Sequence, residues 1–242
     1  MLTLLPLVSL ALAPQKQATP PKPRPAPRSD RGDSKGGRGK MAGMPTGSLT
    51  VICGSMFSGK TEELIRLVRR ALYAKRSVQV FKPALDTRDP TTVIRSHNGA
   101  LHAALALENS AALYLTVAPE TQVIAIEEAQ FFDEGIVAVC QTLADEGKDV
   151  IVSGLDMDFR GAPFGPMPAL IAVADEVVKL RAICAVCGGD AARSQRLLNG
   201  EPAPASAPTV LIGATEHYEA RCRRCHRVPE NISLSSGVKL AP

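Results

Sequence analysis

The eight residues GSMFSGKT, Gly54 to Thr61, constrain the fold more than any other part of this chain. They match the pattern G-x-x-x-x-G-K-[ST], in which backbone N–H groups of a glycine-bearing loop surround a phosphate chain. Such a loop needs a strand before it and a helix after it, because the helix N-terminus adds a positive dipole. An apolar run, 48–53, and an amphipathic stretch, 61–76, supply both flanks. The motif therefore predicts an α/β protein that binds a nucleoside triphosphate.

Within this loop, individual residues have predicted roles toward ATP and Mg²⁺. Lys60 is expected to reach the β- and γ-phosphates, and the Thr61 hydroxyl is expected to ligate Mg²⁺. The alternative is a chance Gly/Ser loop, which the complete motif and both flanks argue against. The predicted ATP-binding residues are Gly54, Ser55, Met56, Phe57, Ser58, Gly59, Lys60 and Thr61.

Beyond the loop, apolar runs and amphipathic stretches alternate. Strands separated by helices imply a parallel sheet with helices on its faces, and ligands beyond the carboxyl ends of the strands. The predicted strands are 48–53, 78–83, 122–126, 149–155 and 176–180, and the predicted helices are 61–76 and 135–146. The apolar face predicted for the first helix consists of Leu64, Leu67, Val68, Ala71 and Leu72.

Two adjacent glutamates, Glu127 and Glu128, directly follow one of these strands, the run VIAI. A phosphate-loop protein needs an acid at the end of a second strand, to hold Mg²⁺ directly or through water. A second acid beside it can act as base toward the attacking nucleophile. The nearby cations would then relieve the repulsion between the two carboxylates. Spacing leaves open which glutamate has which role, and a solvated acidic loop is the alternative.

Four cysteines form two C-x₂-C pairs with 34 residues between the pairs, and they are Cys184, Cys187, Cys222 and Cys225. Four thiolates suit a tetrahedral, structural Zn²⁺ site. A pair of disulfides is the alternative in an oxidising compartment. His226 follows the last cysteine and could substitute for a ligand, whereas Cys53 and Cys140 lie in apolar settings typical of core thiols.

The net charge of +4 comes from the start of the chain. Residues 1–48 carry 8 basic and 2 acidic residues, and the remainder carries 20 basic and 22 acidic residues. Residues 1–14 resemble the apolar part of a signal peptide, and the stretch after them is rich in Pro, Gly and basic residues. Residues 1–46 are predicted to be disordered. This stretch is interpreted as an over-extended gene start ahead of Met41 or Met44, as a secretory leader with a linker, or as a genuine tail. No apolar run reaches about 18 residues, so no membrane helix is predicted.

Several motifs together resemble the type II thymidine kinases: GSMFSGKT, KPALDTR, IEEAQFF, GLDMDFRGAPFG, GATEHYEARC and the two cysteine pairs occur in that family's order. The resemblance covers roughly residues 48–228. It implies a RecA-like P-loop NTPase domain with a parallel sheet, 47–181, and a zinc-binding lasso domain, 182–230. Residues 231–242 show no clear pattern and are predicted to be a loose tail.

The same resemblance implies an activity and its setting. Members of the family transfer the γ-phosphoryl group of ATP to the 5′-hydroxyl of thymidine, giving dTMP and ADP. The implied cofactors are ATP, Mg²⁺ and a structural Zn²⁺. The implied protein is cytoplasmic and usually tetrameric, with no membrane or nucleic-acid partner.

Residue roles follow from the matching motifs. Glu128 matches the family's general base, and Glu127 stands on the metal side, where the family usually has Asp. Asp86 and Arg88 match polar residues near the phosphates, and Arg88 could stabilise charge on the phosphoryl group in transfer.

The nucleoside side of the site is implied by three further matches. Phe159 matches the aromatic residue that stacks on thymine, and Tyr218 matches the tyrosine that faces the sugar. The segment whose backbone would bind the thymine edge consists of Val210, Leu211, Ile212 and Gly213. Gln195 and Arg196, just before this loop, are compatible with a structural role.

Two other functions remain open from the residues. One is a RecA-like ATPase stimulated by DNA, in which the second acid would activate water. A core without basic surplus and the absence of Trp argue against it. The other is a zinc-ribbon binding module with a degenerate nucleotide domain, which the intact Lys60 and Thr61 oppose.

Overall fold

The computed structural model describes residues 47–85, 93–95, 101–209 and 217–229. All of them belong to one compact unit, Ala42–Pro242. The tails predicted at 1–46 and 231–242 lie outside the described residues. Across the part of the chain that is described, no helix is long and apolar enough to cross a bilayer.

Strands and helices alternate through the first part of the chain, and short strands dominate after residue 180. The strands are β1 (Ser48–Gly54), β2 (Val78–Pro83), β3 (Val93–Arg95), β4 (Leu101–Ala103), β5 (Leu105–Leu107), β6 (Val123–Ile126), β7 (Asp149–Gly154), β8 (Glu176–Leu180), β9 (Ala182–Ile183), β10 (Asp190–Ala191), β11 (Arg193–Leu198), β12 (Glu201–Pro202) and β13 (His217–Arg221). The helices are α1 (Lys60–Tyr73), α2 (Ser110–Thr116), α3 (Ile136–Asp145) and α4 (Met167–Val173), and a 3-10 turn, Ala129–Phe131, follows β6.

The centre of the protein is a six-stranded sheet in the order β5–β2–β6–β7–β1–β8. Every neighbouring pair of strands in it is parallel. This arrangement confirms the predicted α/β fold. Because β7 lies between β1 and β6, the residues that follow these three strands meet at one edge of the sheet.

The sheet is buried on both faces by two apolar clusters. Ile124 of β6 packs with α2, α3 and α4 on one face, and Val123 of the same strand packs with α1 on the other. Successive side chains of a strand point to opposite faces, so a strand covered on both sides must be apolar throughout. That requirement explains why the run before the two glutamates contains no polar residue.

Helix α1 differs from its prediction in length and in its buried face. It ends at Tyr73 rather than at residue 76, and Lys75 follows with a left-handed φ of 60°. Ile65, absent from the predicted face, is buried. Leu72 is 44% exposed, whereas its neighbour Ala71 is buried in the apolar cluster.

The sequence did not predict helices α2 and α4, each of seven residues. Two turns are too short for a helical period to stand out from the surrounding pattern. Helix α2 has one local signal, because the Asn109 side chain accepts a hydrogen bond from Ala112 N at 2.8 Å. This is the bond by which Asn caps a helix N-terminus.

After β8 the chain forms antiparallel pairs. β9 pairs with β10, and β11 lies between β12 and β13. The sequence predicts two strands here, the runs ARSQRLLNG and TVLIG, joined by a flexible loop. β11 lies within the first run, and the second lies outside the described residues apart from Thr209.

Candidate functional site

The phosphate loop joins β1 to α1 at the carboxyl edge of the sheet. Gly54 has a φ of +144°, and a Cβ there would lie 2.4 Å from the Leu180 carbonyl oxygen, so no other residue fits. Gly59 has a left-handed φ of 84° and turns the chain into α1, which has no side-chain cap. The uncapped N–H groups of the first turn therefore form an anion site.

Two side chains of this loop suit a phosphate ligand. The Lys60 ammonium is buried and donates to the Ser55 carbonyl oxygen at 2.8 Å. The Ser58 hydroxyl oxygen is buried and has no hydrogen-bond partner among the described residues. A buried hydroxyl without a partner costs free energy, and a phosphate oxygen would satisfy it. The loop therefore fits a nucleotide.

The first glutamate of the pair contacts the phosphate loop. Glu127 is 6% exposed, and its Oε1 accepts a hydrogen bond from Thr61 Oγ1 at 2.6 Å. The structure thus brings together the two residues that the sequence assigned to Mg²⁺. A carboxylate and a hydroxyl are oxygen ligands of the kind Mg²⁺ prefers, so these residues fit the ion.

The second glutamate has a different partner and an uncommon backbone. Glu128 is partly buried, with φ 52° and ψ 41° in the left-handed region. A non-glycine residue there is strained, and such strain concentrates at functional sites. Gln130 Nε2 donates to Glu128 Oε2, whereas Gln130 Oε1 accepts from Leu155 N at 2.9 Å. Each carboxylate therefore has a donor of its own, which offsets the repulsion between them.

Gln130 itself was not predicted as a site residue. It is 3% exposed in the 3-10 turn after the acidic pair, and it connects the end of β6 to the residue after β7. The sequence gave one indication of a role for Gln130, which is that it lies two residues after Glu128.

A third acid, Asp156, was also missed and lies shortly after β7. Its Oδ2 forms an ion pair with Lys179 Nζ at 2.7 Å, and its Oδ1 is buried without a hydrogen-bond partner among the described residues. Burial raises the pKa of the nearby Cys53 thiol, and the Asp156 charge raises it further. Cys53 is therefore an inert core thiol, as the sequence predicted.

The four paired cysteines lie together. Their Sγ atoms all fall within 4.8 Å of one another, and Cys187 Sγ is 3.7 Å from Cys222 Sγ. All four are free, so the structure does not adopt the disulfide alternative. Backbone N–H donation, with the hydrogen bond from Cys222 the largest cause, lowers the pKa of Cys184 to about 6. Four cysteine sulfurs this close together fit a tetrahedral Zn²⁺ site.

We expect the protein to carry about one Zn²⁺ per chain and the Cys187→Ser variant to lose most of it, since a hydroxyl is a poor zinc ligand. Metal analysis of freshly purified, reduced protein measures this. Cys140→Ala is the matched control, because Cys140 is a buried core thiol outside the cluster. Wild-type protein without zinc would contradict the assignment.

His226 does not lie in the thiol cluster. Its Nε2 is 2.8 Å from the Phe159 carbonyl oxygen, and burial is the main cause that lowers its pKa. The group of potential metal ligands found among the described residues contains the four cysteines and not this histidine. The substitute-ligand interpretation of His226 therefore has no support from the geometry.

The two aromatic residues assigned to the nucleoside share one small cluster. Phe159 packs with Ala203 and Ala207, and Tyr218 packs against this group. The Arg160 and Arg196 guanidinium carbons lie over the Phe159 ring, 4.4 Å and 4.8 Å from its centroid. Phe159 is only 3% exposed. In this structure the Phe159 ring therefore has little exposed surface on which a nucleoside base could stack.

The cysteine-bearing region contacts the phosphate loop directly. Met56 N donates to Ser194 Oγ at 3.0 Å, and Ser55 Oγ donates to the Ala191 carbonyl oxygen at 3.5 Å. Ala191 is the last residue of β10, and Ser194 lies on β11. Both strands follow Cys184 and Cys187 in the chain. The sequence offered no signal for either contact.

Gln195 has the structural role that the sequence suggested. Its Oε1 accepts from Arg227 N, and its Nε2 donates to the Arg227 carbonyl oxygen, both at 2.8 Å. The remaining predicted site residues, Asp86, Arg88 and the segment Val210, Leu211, Ile212 and Gly213, lie outside the described part of the chain.

The protein is a phosphate-loop nucleotide-binding protein, because it combines a parallel sheet, a phosphate loop and an acidic pair at the end of β6. It also contains a cluster of four cysteine thiols. Residues 47–226 match the family model described as thymidine kinase. The chain belongs to the thymidine kinase family. The protein is therefore a kinase of the class that phosphorylates nucleosides.

Proposed function

We propose that this protein transfers the γ-phosphoryl group of ATP to the 5′-hydroxyl of thymidine, giving dTMP and ADP. The observation that carries the proposal is the 2.6 Å hydrogen bond from Thr61 to Glu127. It joins a complete phosphate loop to the acidic pair at the end of β6, in a chain that belongs to the thymidine kinase family.

In this proposal ATP lies on the loop Gly54–Thr61. The N–H groups at the start of α1 and the Ser58 hydroxyl would receive phosphate oxygens. The Lys60 ammonium, now on the Ser55 carbonyl oxygen, would turn to the β- and γ-phosphates. The ammonium is already buried within the loop, so it would stabilise charge on the phosphoryl group at little reorganisation cost. Asp86 and Arg88 would assist near the phosphates.

Thr61 and Glu127 are the residues that would hold Mg²⁺. The bound ion supplies neutralisation of charge on the phosphate oxygens. Glu127 is one methylene longer than the family's usual Asp, and the Thr61 hydroxyl fixes one of its oxygens.

We expect Glu127→Asp to remain active, because it keeps the charge and restores the usual residue. Glu127→Gln is expected to need more Mg²⁺ for half-maximal rate, because a neutral amide binds the ion less tightly. Rates measured over a Mg²⁺ titration separate the two variants. Equal Mg²⁺ requirements in wild type and Glu127→Gln would count against the metal-side assignment.

Glu128 is proposed as the general base that takes the proton from the 5′-hydroxyl while that oxygen attacks in line. Gln130 holds one carboxylate oxygen from a buried position, anchored in turn by Leu155 N. This bond fixes the rotation of the carboxylate toward the substrate, so Gln130 acts as a positioning residue.

The nucleoside is proposed to bind between this edge of the sheet and the lasso. Tyr218 would face the sugar, and the backbone of 210–213 would bind the thymine edge. Stacking on Phe159 requires a guanidinium to leave the ring face, given its 3% exposure. Closure of the lasso would exclude water and so limit hydrolysis of ATP.

The four thiolates are proposed to hold a structural Zn²⁺ that ties the two ends of the lasso together. The region is small and poor in large apolar side chains, so burial alone gives it little stability. We also infer a cytoplasmic homotetramer, as is usual among the type II thymidine kinases that the chain resembles. ATP as substrate supports that location.

A turnover assay tests the proposal. ATP consumption by the wild type is expected to depend on added thymidine and to stay low with single- or double-stranded DNA. Stimulation by DNA without any nucleoside would instead identify a DNA-dependent ATPase. ATP consumption that is independent of every nucleoside tested would also contradict the proposal.

A further inference from the structure

The phosphate loop contains one residue in a strained backbone conformation. Phe57 has a left-handed φ of 63°, and its side chain is exposed. A bulky residue rarely adopts this region, and it stays there only where the surrounding structure holds it. The residues next to Phe57 therefore need contacts that fix the path of the backbone.

The contacts of the first half of the loop, 54–57, come from the lasso. Met56, the residue before Phe57, donates from its backbone N to Ser194 Oγ at 3.0 Å. Ser55 Oγ donates to the Ala191 carbonyl oxygen at 3.5 Å, which is long for a hydrogen bond between two oxygens. The bond to Ser194 is therefore the stronger of the two, and it joins residues 138 positions apart in the chain.

The same half of the loop also sets the position of the Lys60 ammonium. Lys60 Nζ donates to the carbonyl oxygen of Ser55, a buried residue, at 2.8 Å. Because Ser55 directly precedes Met56, a change of backbone direction at Met56 would move this carbonyl group. The ammonium that it holds would then move as well.

Ser194 lies in a well-supported part of the lasso. It is buried on β11, opposite Ala220 of β13. The next residue, Gln195, bonds through its side chain to both backbone groups of Arg227. Since a neighbouring strand and a side chain fix β11 here, the Ser194 hydroxyl can hold Met56 N in place rather than follow its movements.

The Ser194 bond is not needed to keep the lasso against the sheet domain. Arg160, in the loop after β7, donates from Nε to the Ala205 carbonyl oxygen at 2.7 Å and from Nη1 to Thr209 Oγ1 at 2.8 Å. Its Nη2 donates to the Ala207 carbonyl oxygen. With these three bonds in place, loss of the Ser194 hydroxyl should loosen the phosphate loop and leave the lasso attached.

We propose that Ser194 is a positioning residue for nucleotide binding: its hydroxyl holds the first half of the phosphate loop in the shape that binds ATP. This inference rests on the proposed function, which places ATP on the loop. If the loop adopts its binding shape only part of the time, the apparent Kd rises in proportion. Loss of the hydroxyl should therefore weaken ATP binding, whereas kcat at saturating ATP should change little.

Removal and retention of the hydroxyl test this role. Ser194→Ala leaves Met56 N without its acceptor, so the Kd for ATP should rise on the order of tenfold, about the cost of one unpaired N–H group. Ser194→Thr keeps a hydroxyl on the same carbon and should retain the wild-type Kd. Binding is measured with a fluorescent ATP analogue and Mg²⁺, in the absence of any nucleoside.

Ser77→Ala is the matched control. The Ser77 hydroxyl also accepts from a distant backbone N, that of Gln122 at 3.1 Å, but it lies just before β2, at the amino edge of the sheet. The chemical change is the same, so this variant should bind ATP as the wild type does. An unchanged Kd in Ser194→Ala, or an equal increase in Ser194→Thr, would overturn the inference.

Hydrogen–deuterium exchange gives a readout that needs neither ATP nor activity. Peptides covering 54–59 should exchange faster in Ser194→Ala than in the wild type, in Ser194→Thr or in Ser77→Ala. Exchange at 203–209, where Arg160 holds the lasso, should not change. Unaltered exchange at 54–59, or equally faster exchange at 203–209, would overturn the inference. A wild type that binds ATP without phosphorylating thymidine would instead refute the proposed function alone.

Discussion

The Lys60→Ala variant is expected to lose thymidine phosphorylation almost completely and to keep its fold. Removal of one preorganised electrostatic donor typically costs about 10²–10³ in rate, and here the donor is a full charge at the transferred group. In the structure the ammonium donates to the Ser55 carbonyl oxygen of the same loop at 2.8 Å. Its removal therefore takes away a phosphate contact rather than a core contact.

Lys148→Ala is the matched control for this variant. The Lys148 ammonium also bonds to backbone carbonyls, those of Pro119 at 3.2 Å and Thr121 at 2.9 Å, but near the amino end of β7. Initial rates and melting temperatures of both variants give the comparison. Near-normal phosphorylation by Lys60→Ala, with a normal melting temperature, would refute the assignment of the phosphate loop.

The second large effect is expected for Glu128→Gln. Glutamine keeps the size and nearly the shape of the side chain, but it cannot accept the proton of the 5′-hydroxyl. General-base catalysis is typically worth about 10²–10⁴-fold, so kcat should fall by that factor. Binding of ATP, measured by titration with a fluorescent analogue, should persist because the loop is unchanged.

Two other variants, Glu146→Gln and Glu127→Gln, serve as comparisons for Glu128→Gln. Glu146→Gln removes an exposed carboxylate that accepts from the Tyr114 hydroxyl at 2.7 Å, away from the site, and should leave kcat unchanged. Glu127→Gln should respond to added Mg²⁺, whereas Glu128→Gln should not. An active Glu128→Gln beside a Glu127→Gln that Mg²⁺ cannot rescue would mean that the two roles are reversed.

The parts of the fold that follow from local pattern were predictable from the sequence. Strands β2 and β8 begin and end at the predicted residues, 78–83 and 176–180. β2 is covered on both faces, and Pro83 marks its end. The phosphate loop was equally accessible, because its chemistry needs fixed residue types at fixed spacing. The four cysteines came together as predicted for the same reason.

The parts that depend on distant partners were not predictable. Arg160 and its acceptors in the lasso are separated by 45 to 49 residues, and no local pattern marks that pairing. The bond from Gln130 to Leu155 likewise spans 25 residues. The burial of Phe159 was not foreseen either, because Arg196, Ala203 and Ala207, which pack on its ring, come from a distant part of the chain.

Analysis of the labelled product is the sharpest test of phosphoryl transfer to the 5′-hydroxyl of thymidine. Wild-type protein is incubated with γ-labelled ATP, Mg²⁺ and thymidine, in parallel with 5′-deoxythymidine, 3′-deoxythymidine and the Lys60→Ala variant. We expect labelled 5′-monophosphate from thymidine and 3′-deoxythymidine, and none from 5′-deoxythymidine or from the variant. Label released only as inorganic phosphate, or product formed from 5′-deoxythymidine, would contradict the proposed transfer.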